Sequence, residues 1–243
     1  MEPSFVTLRP GMFSELSNDL EQYPGGIVIP LDKPYRWTSA DAVRKIKFKL
    51  QRHFGKKNLK VGHAGTLDPL ATGLLLICIG KATKQAQHLQ NQRKEYIAEI
   101  RLGATTPSYD LEKEIDAHYP WEHITREQID GILPRFLGEQ DQVPPVFSAK
   151  LVDGVRAYEY ARQGEQIEMK PSRITLYELE VLDYQAPVLT LRIQCSKGTY
   201  IRSIARDLGL ALGSGGHLIN LRRTLSGAMD VEQAVSMEEI LNS

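Results

Sequence analysis

The chain has 243 residues, 42% hydrophobic and 25% charged, with 30 basic and 30 acidic side chains and therefore no formal net charge. That is enough chain for one large domain or two small ones with a substantial core, and the composition is that of an ordinary soluble globular protein. The longest apolar run, Leu74 to Ile79, falls far short of the roughly 20 residues of a membrane-spanning helix, and MEPSFVTLRPGMFSEL lacks the basic-then-apolar order of a secretory signal.

Residues 1–24 read as an N-terminal extension, punctuated by Tyr23-Pro24-Gly25-Gly26. Gly26 to Leu31 (GIVIPL) reads as a buried strand ended by Asp32-Lys33-Pro34. Ser39 then caps a helix with Val43, Ile46 and Leu50 at helical spacing. A loop over Gly55 to Lys60 leads into GHAGTLDPLATG, too rich in glycine, threonine and proline for a regular element. Leu74 to Ile79 (LLLICI) is a strand buried on both faces, and Tyr96 to Leu102 alternates like a strand with one polar face. Thr125-Arg126-Glu127-Gln128 forms a capping box before a helix ending near Gly138, and Ala157 to Arg162 is a helix stopped at Gly164. Two strands follow, Ile174 to Leu182 and Leu189 to Cys195, the second with Leu189, Leu191, Ile193 and Cys195 on one face. Ser196-Lys197-Gly198 turns into a helix beginning near Tyr200, with Ile201, Ile204, Ala205 and Leu208 as its apolar stripe. A short strand and a last helix, Met237 to Leu241, close the chain. The pattern is α+β, without the regular crossovers of a doubly wound sheet.

Charge is unevenly spread. Nine cations lie between Arg36 and Lys60 against the single acid Asp41, whereas acids gather in Asp110 to Asp130 and Asp230 to Glu239. Such asymmetry can give a neutral molecule a positive face suited to phosphates, although charge alone favours a solvated helix face. The six histidines and two cysteines show no HxH, HExxH or CxxC spacing, so no metal site is expected. Cys78 and Cys195 read as buried free thiols of a reducing cytoplasm.

The segment Gly62 to Gly73 holds one acid, Asp68, between two strands, a way of presenting a side chain from a rigid scaffold. By itself Asp68-Pro69 is an ordinary turn dipeptide and His63 an ordinary surface imidazole. GHAGTLDPLATGLL with Asp32-Lys33-Pro34 resembles the signature of the TruB family of pseudouridine synthases. The family's further blocks resemble, in order, Lys94-Glu95-Tyr96 with Leu102-Gly103 and then Pro144 to Lys150. After these come Arg156 to Glu159 with Ala161 to Gly164, Cys195 to Arg202, and His217-Leu218 to Thr224. The resemblance covers about residues 25–227.

The resemblance implies a pseudouridine-synthase fold: a mixed, largely antiparallel sheet flanked by helices and loops that form an RNA-binding cleft. It implies a single catalytic domain, residues 25–243, without the C-terminal PUA domain of many relatives. The implied reaction is isomerisation of uridine to pseudouridine in the T-loop of tRNA, at the position conventionally numbered 55. The bond from ribose C1′ to uracil N1 breaks, the base turns, and C5 takes the place of N1. Nothing is oxidised and nothing leaves, so no cofactor is required, and a carboxylate nucleophile divides the rearrangement into easier steps. Asp68 matches that nucleophile, attacking either C6 of the base or C1′ of the sugar. Arg202 matches the arginine that keeps it ionised, since a neighbouring guanidinium favours a charged carboxylate. Tyr96 matches the tyrosine that stacks on the uracil, and Tyr200 and Leu221 match walls of the base pocket. Without the resemblance all three would read as core packing. His63 matches the histidine that braces the RNA where the target has been extruded. The basic segment with Lys197, Arg222 and Arg223 would engage phosphates, giving affinity that falls with salt.

One departure is Pro107 within Thr106 to Asp110, where the family more often has an acid. The expected partner is thus the tRNA T-arm, with no membrane and no obligatory protein partner. The rivals are a tRNA-folding factor with isomerisation secondary, and a guide-dependent synthase inert without its partners.

Overall fold

The computed structural model describes residues 5–163, 165 and 167–242. In chain order the elements are β1 (Val6–Thr7), β2 (Ile27–Lys33), α1 (Ser39–His53), β3 (Val61–Ala64), β4 (Thr72–Ile79), α2 (Ala86–Asn91) and β5 (Lys94–Leu102). These are followed by β6 (Ala104–Thr105), β7 (Ala117–His118), α3 (Arg126–Ile132), β8 (Gly138–Gln142), β9 (Leu151–Val152), β10 (Val155–Arg156) and α4 (Ala157–Gln163). The remainder are β11 (Ser172–Gln185), β12 (Val188–Cys195), α5 (Ile201–Ala211), β13 (Gly216–Ser226), β14 (Met229–Asp230), β15 (Val235–Ser236) and α6 (Met237–Asn242). This is the mixed α+β architecture expected. Gly164, expected to stop α4, and residues 1–4 of the N-terminal segment lie outside the described residues.

The chain divides into two compact units, residues 1–95 with 222–243 and residues 96–221. In the first, β2 and β3 both run antiparallel to β4, while β1 and β15 run parallel to β2. The centre is apolar because the sequence makes it so: Ile27, Val28, Ile29 and Leu31 of β2 and Leu74 to Ile79 of β4 are all fully buried. Cys78 sits there as a free thiol, its pKa pushed up to about 11 by burial, which suits packing and not reactivity. The N-terminal segment is packed against this unit: it supplies β1 and buries Leu8, Phe13 and Leu16.

Helix α1 turns Ala42, Ile46 and Leu50 inward, while Val43 stays half-buried. Its cap is Thr38, one residue before the expected Ser39. Thr38 Oγ1 accepts from Asp41 N at 2.9 Å, and Asp41 Oδ2 accepts from Thr38 in return, a complete capping box. Thr38→Ala should lower stability by about 1 kcal/mol, read as a fall of roughly 2–4 °C in Tm on thermal denaturation.

In the second unit, to which β13 belongs up to Leu221, the strand order is β13-β5-β12-β11-β8. The long β11 pairs antiparallel with β12 on one side and with the edge strand β8 on the other. Strand β12 alternates as its sequence demands, burying Leu189, Leu191, Ile193 and Cys195. Helix α5 buries Ile201, Ile204, Ala205 and Leu208. The capping box of α3 is formed by Thr125 and Gln128, but the helix ends at Ile132. A 3-10 turn over Leu133–Phe136 takes the stretch assigned to the rest of that helix, and β8 begins at Gly138.

Candidate active site

The loop carrying Asp68 leaves the first unit's sheet where β4 changes partners. The far half of β4 pairs with β3, ending at Ala64↔Leu76, and its first two residues pair with β13, at Thr72↔Arg222 and Gly73↔Arg223. Residues 65–71 bridge that changeover and cannot lie flat in the sheet. His63 is therefore on a strand, opposite Ile77, and not in an irregular loop as its composition suggests.

Three buried side chains hold the loop. Ser39, free of capping duty, donates through Oγ to Leu67 O at 3.0 Å and accepts from Leu67 N at 2.9 Å. Arg223 is 1% exposed and donates through Nη2 to Gly65 O at 3.1 Å and through Nε to Leu74 O at 2.6 Å. Lys33 is fully buried, and its ammonium donates to Trp37 O at 2.7 Å, Pro34 O at 3.0 Å and Pro69 O at 3.4 Å. The backbone N–H of Arg36 also donates to Pro69 O, at 2.8 Å, and Ala71 N–H to Asp68 O, at 3.1 Å. The carbonyls on both sides of Asp68 are thus fixed from beneath, and its half-buried side chain belongs to a rigid loop.

Burial lowers the Lys33 pKa to about 8; the nearby Asp68 carboxylate works against that shift and Arg223 works with it. The unfolded lysine keeps its proton up to its ordinary pKa of 10.5, whereas the folded one releases it near 8. Between those values the unfolded chain binds more protons, so this group adds stability as pH rises. Over pH 8 to 9.5 the stability of wild type relative to Lys33→Met should therefore climb by about 1.5 kcal/mol, measurable by urea unfolding.

Burial also lowers the His63 pKa, with the Arg223 charge acting in the same direction, so the imidazole is neutral at pH 7. A neutral flat ring suits stacking and edge hydrogen bonds better than phosphate binding. Arg222 forms a bidentate pair with Asp32, at 2.8 and 3.0 Å. Arg223 was expected to meet phosphates but is turned inward to backbone carbonyls. Its burial needed tertiary partners that a run of two arginines does not reveal.

The other four expected residues lie in the second unit. Tyr96 is on β5 and 8% exposed, and Leu221 is on β13 and 7% exposed. Tyr200 precedes α5 and is half-buried. Its backbone is clamped by the buried Gln142, which accepts from Tyr200 N at 2.8 Å and donates to Tyr200 O at 3.1 Å. Arg202, in the first turn of α5, is 3% exposed and not the solvent-facing arginine its helical position alone would give. Its Nη1 donates to Phe147 O at 2.9 Å and Ser108 O at 3.3 Å, and its Nε lies 3.6 Å from Asp110 Oδ2. Thr106 and Asp110 are buried and linked by a 2.7 Å bond from Thr106 Oγ1 to Asp110 O, whereas Pro107 is exposed. The unusual proline therefore alters the loop's outer surface and leaves its inner contacts intact.

Residues 51–201 match the model described as TruB family pseudouridylate synthase (N terminal domain), and residues 202–243 match that of the tRNA pseudouridylate synthase B C-terminal domain. A Parabacteroides distasonis protein named tRNA pseudouridine synthase B is 55% identical over 215 residues, covering 88% of this chain and 92% of its own length. The protein of that name from Flavobacterium johnsoniae is 53% identical over 218 residues, covering 89% and 95%. Among solved structures, a crystal structure of a Cbf5–Nop10–Gar1 complex matches 92% of this chain at 30% identity with a TM-score of 0.67, and this chain spans 54% of that one. The first family model alone covers well over half of the sequence and includes the loop that Ser39, Lys33 and Arg223 hold in place. The chain belongs to the TruB family of pseudouridylate synthases.

Proposed function

We propose that this protein isomerises uridine to pseudouridine in the T-loop of tRNA, at position 55, with Asp68 as the nucleophile. The observation that carries the reading is the fixed loop: a carboxylate presented on a backbone whose carbonyls are bound from below by buried Ser39, Lys33 and Arg223. A nucleophile held in one position needs less reordering to reach its target than one on a mobile turn. Tyr96, Tyr200 and Leu221 receive the extruded base, and His63 braces the RNA left behind. Arg202 supplies the cation that the family pattern assigns to the nucleophile. The relatives named tRNA pseudouridine synthase B, at 53–55% identity, support transfer RNA as the substrate.

The reaction exchanges the C1′–N1 bond for a C1′–C5 bond. The C5 proton passes to solvent, and N1 takes one up. A T-arm hairpin tritiated at C5 of its uridines should therefore release label with the purified protein alone. The likeness to a Cbf5 chain in a multiprotein complex favours a second reading, a synthase that works only with partners. Release by the protein alone rules that out. Absence of release, restored only by added partners, would establish it.

A further inference from the structure

We propose that a groove beside the Asp68 loop, between the Pro34–Trp37 turn and the exposed face of α1, binds one unstacked nucleotide of the RNA next to the target uridine. The inference rests on the function proposed above and extends it to a second nucleotide. The groove has a volume of about 550 Å³ and is lined by Arg36, Trp37, Asp41, Arg44, Lys45 and Phe48. Its four helical members fall at i, i+3, i+4 and i+7, so they share one face of α1.

The lining combines two chemistries. Phe48 is 60% exposed amid a run of cations, with the Arg52 guanidinium 5.8 Å from its ring centroid. The half-buried Trp37 gives a second flat wall. Three cations meet a single carboxylate, and that carboxylate is already engaged: Asp41 accepts from Thr38 Oγ1 at 2.6 Å and pairs with Arg44. What remains is a positive rim over aromatic surface, the combination with which proteins hold single-stranded bases by stacking and their phosphates by charge. An apolar peptide would be served by the aromatic walls but not by the cations.

The groove is also tied to the reactive loop. Arg36 has φ +66, a left-handed conformation unusual for a side-chain-bearing residue, and its N–H is bound to Pro69 O. The Lys33 ammonium joins the carbonyls of Pro34 and Trp37 to that of Pro69. One buried cation thus fixes both the turn that forms a groove wall and the residue after Asp68. A nucleotide in the groove would set the register of its neighbour relative to the nucleophile.

The test is a binding scan with T-arm hairpins, each carrying one abasic site near the target uridine, against wild type, Phe48→Ala and Phe48→Tyr. Phe48 is exposed, so its truncation leaves the fold intact. Loss of one stacked base weakens binding about 10-fold or more. Wild type should show that loss at one abasic position. Phe48→Ala should bind the intact hairpin about 10-fold more weakly and lose at most about 2-fold more at that position. Phe48→Tyr should behave as wild type. Equal losses in wild type and Phe48→Ala at every position would overturn the proposal, as would unweakened binding by Phe48→Ala. Conversion of the intact hairpin by wild type is scored in the same samples. Conversion without the coupling removes the groove and leaves the enzyme reading standing; coupling without conversion does the reverse.

Discussion

Asp68→Asn should reduce pseudouridine formation to below about one-thousandth of the wild-type rate, because an amide of the same shape cannot act as the nucleophile. Binding of a T-arm hairpin should change by less than about 3-fold, since the substitution leaves the loop's backbone contacts untouched. Those contacts run through the carbonyls of Gly65, Leu67 and Pro69. Rate and affinity are measured on the same preparation, by single-turnover conversion and by filter binding. Retained turnover would remove Asp68 from the chemistry. Lost binding with lost turnover would make it a structural residue of the loop.

Gly73→Ala should be the most damaging single-methyl substitution near the site. Gly73 has φ +96, and a Cβ built there lies 2.3 Å from Arg223 O and 2.9 Å from Arg223 N. Both are backbone atoms of the strand paired with β4 at this point, so neither can swing away. The substitution joins left-handed strain to a direct clash, and about 3 kcal/mol or more of destabilisation is expected. In a chain of this size that is a fall of roughly 8 °C or more in Tm. Gly131→Ala is the matched contrast. Gly131 sits in α3 with nothing within 4 Å of an added Cβ, and its φ is not positive. That change should raise stability by about 0.5–1 kcal/mol. Similar effects from both would contradict the packing described around β4.

The sequence was most legible where one periodicity governed a whole element. LLLICI and the alternation of Leu189, Leu191, Ile193 and Cys195 lead directly to β4 and β12, and the Ile201–Leu208 stripe to α5. Polar composition hid β8: GEQDQ is a poor strand by propensity but forms an edge, where one side of the ladder and most side chains face solvent. Glycine hid β3, whose four residues are ordered by β4 and not by their own preference.

At the proposed site, motif position is what nominates Asp68, His63, Tyr96, Tyr200, Arg202 and Leu221, and nothing in composition would have separated them from turn or core residues. The supporting side chains were harder to see. Ser39 looked like a helix cap because serine before an apolar helical stripe has that meaning, yet Thr38 caps and Ser39 binds Leu67. Arg223 looked like a surface cation because arginine almost always is, and Lys33 stood out only as part of the turn that ends a strand. The carbonyl partners of Arg223 are distant in sequence, and Lys33 adds the distant Pro69 O to its local partners Pro34 O and Trp37 O, so the burial of both charges depends on tertiary structure.

The most direct test of the central claim is position-resolved mapping of pseudouridine across an unmodified tRNA transcript incubated with the purified protein and nothing else. Modification of the T-loop uridine at position 55, approaching one per tRNA, is expected, with the remaining uridines unchanged. Modification elsewhere with position 55 untouched would contradict the substrate assignment, and no modification at any uridine would contradict action without partners.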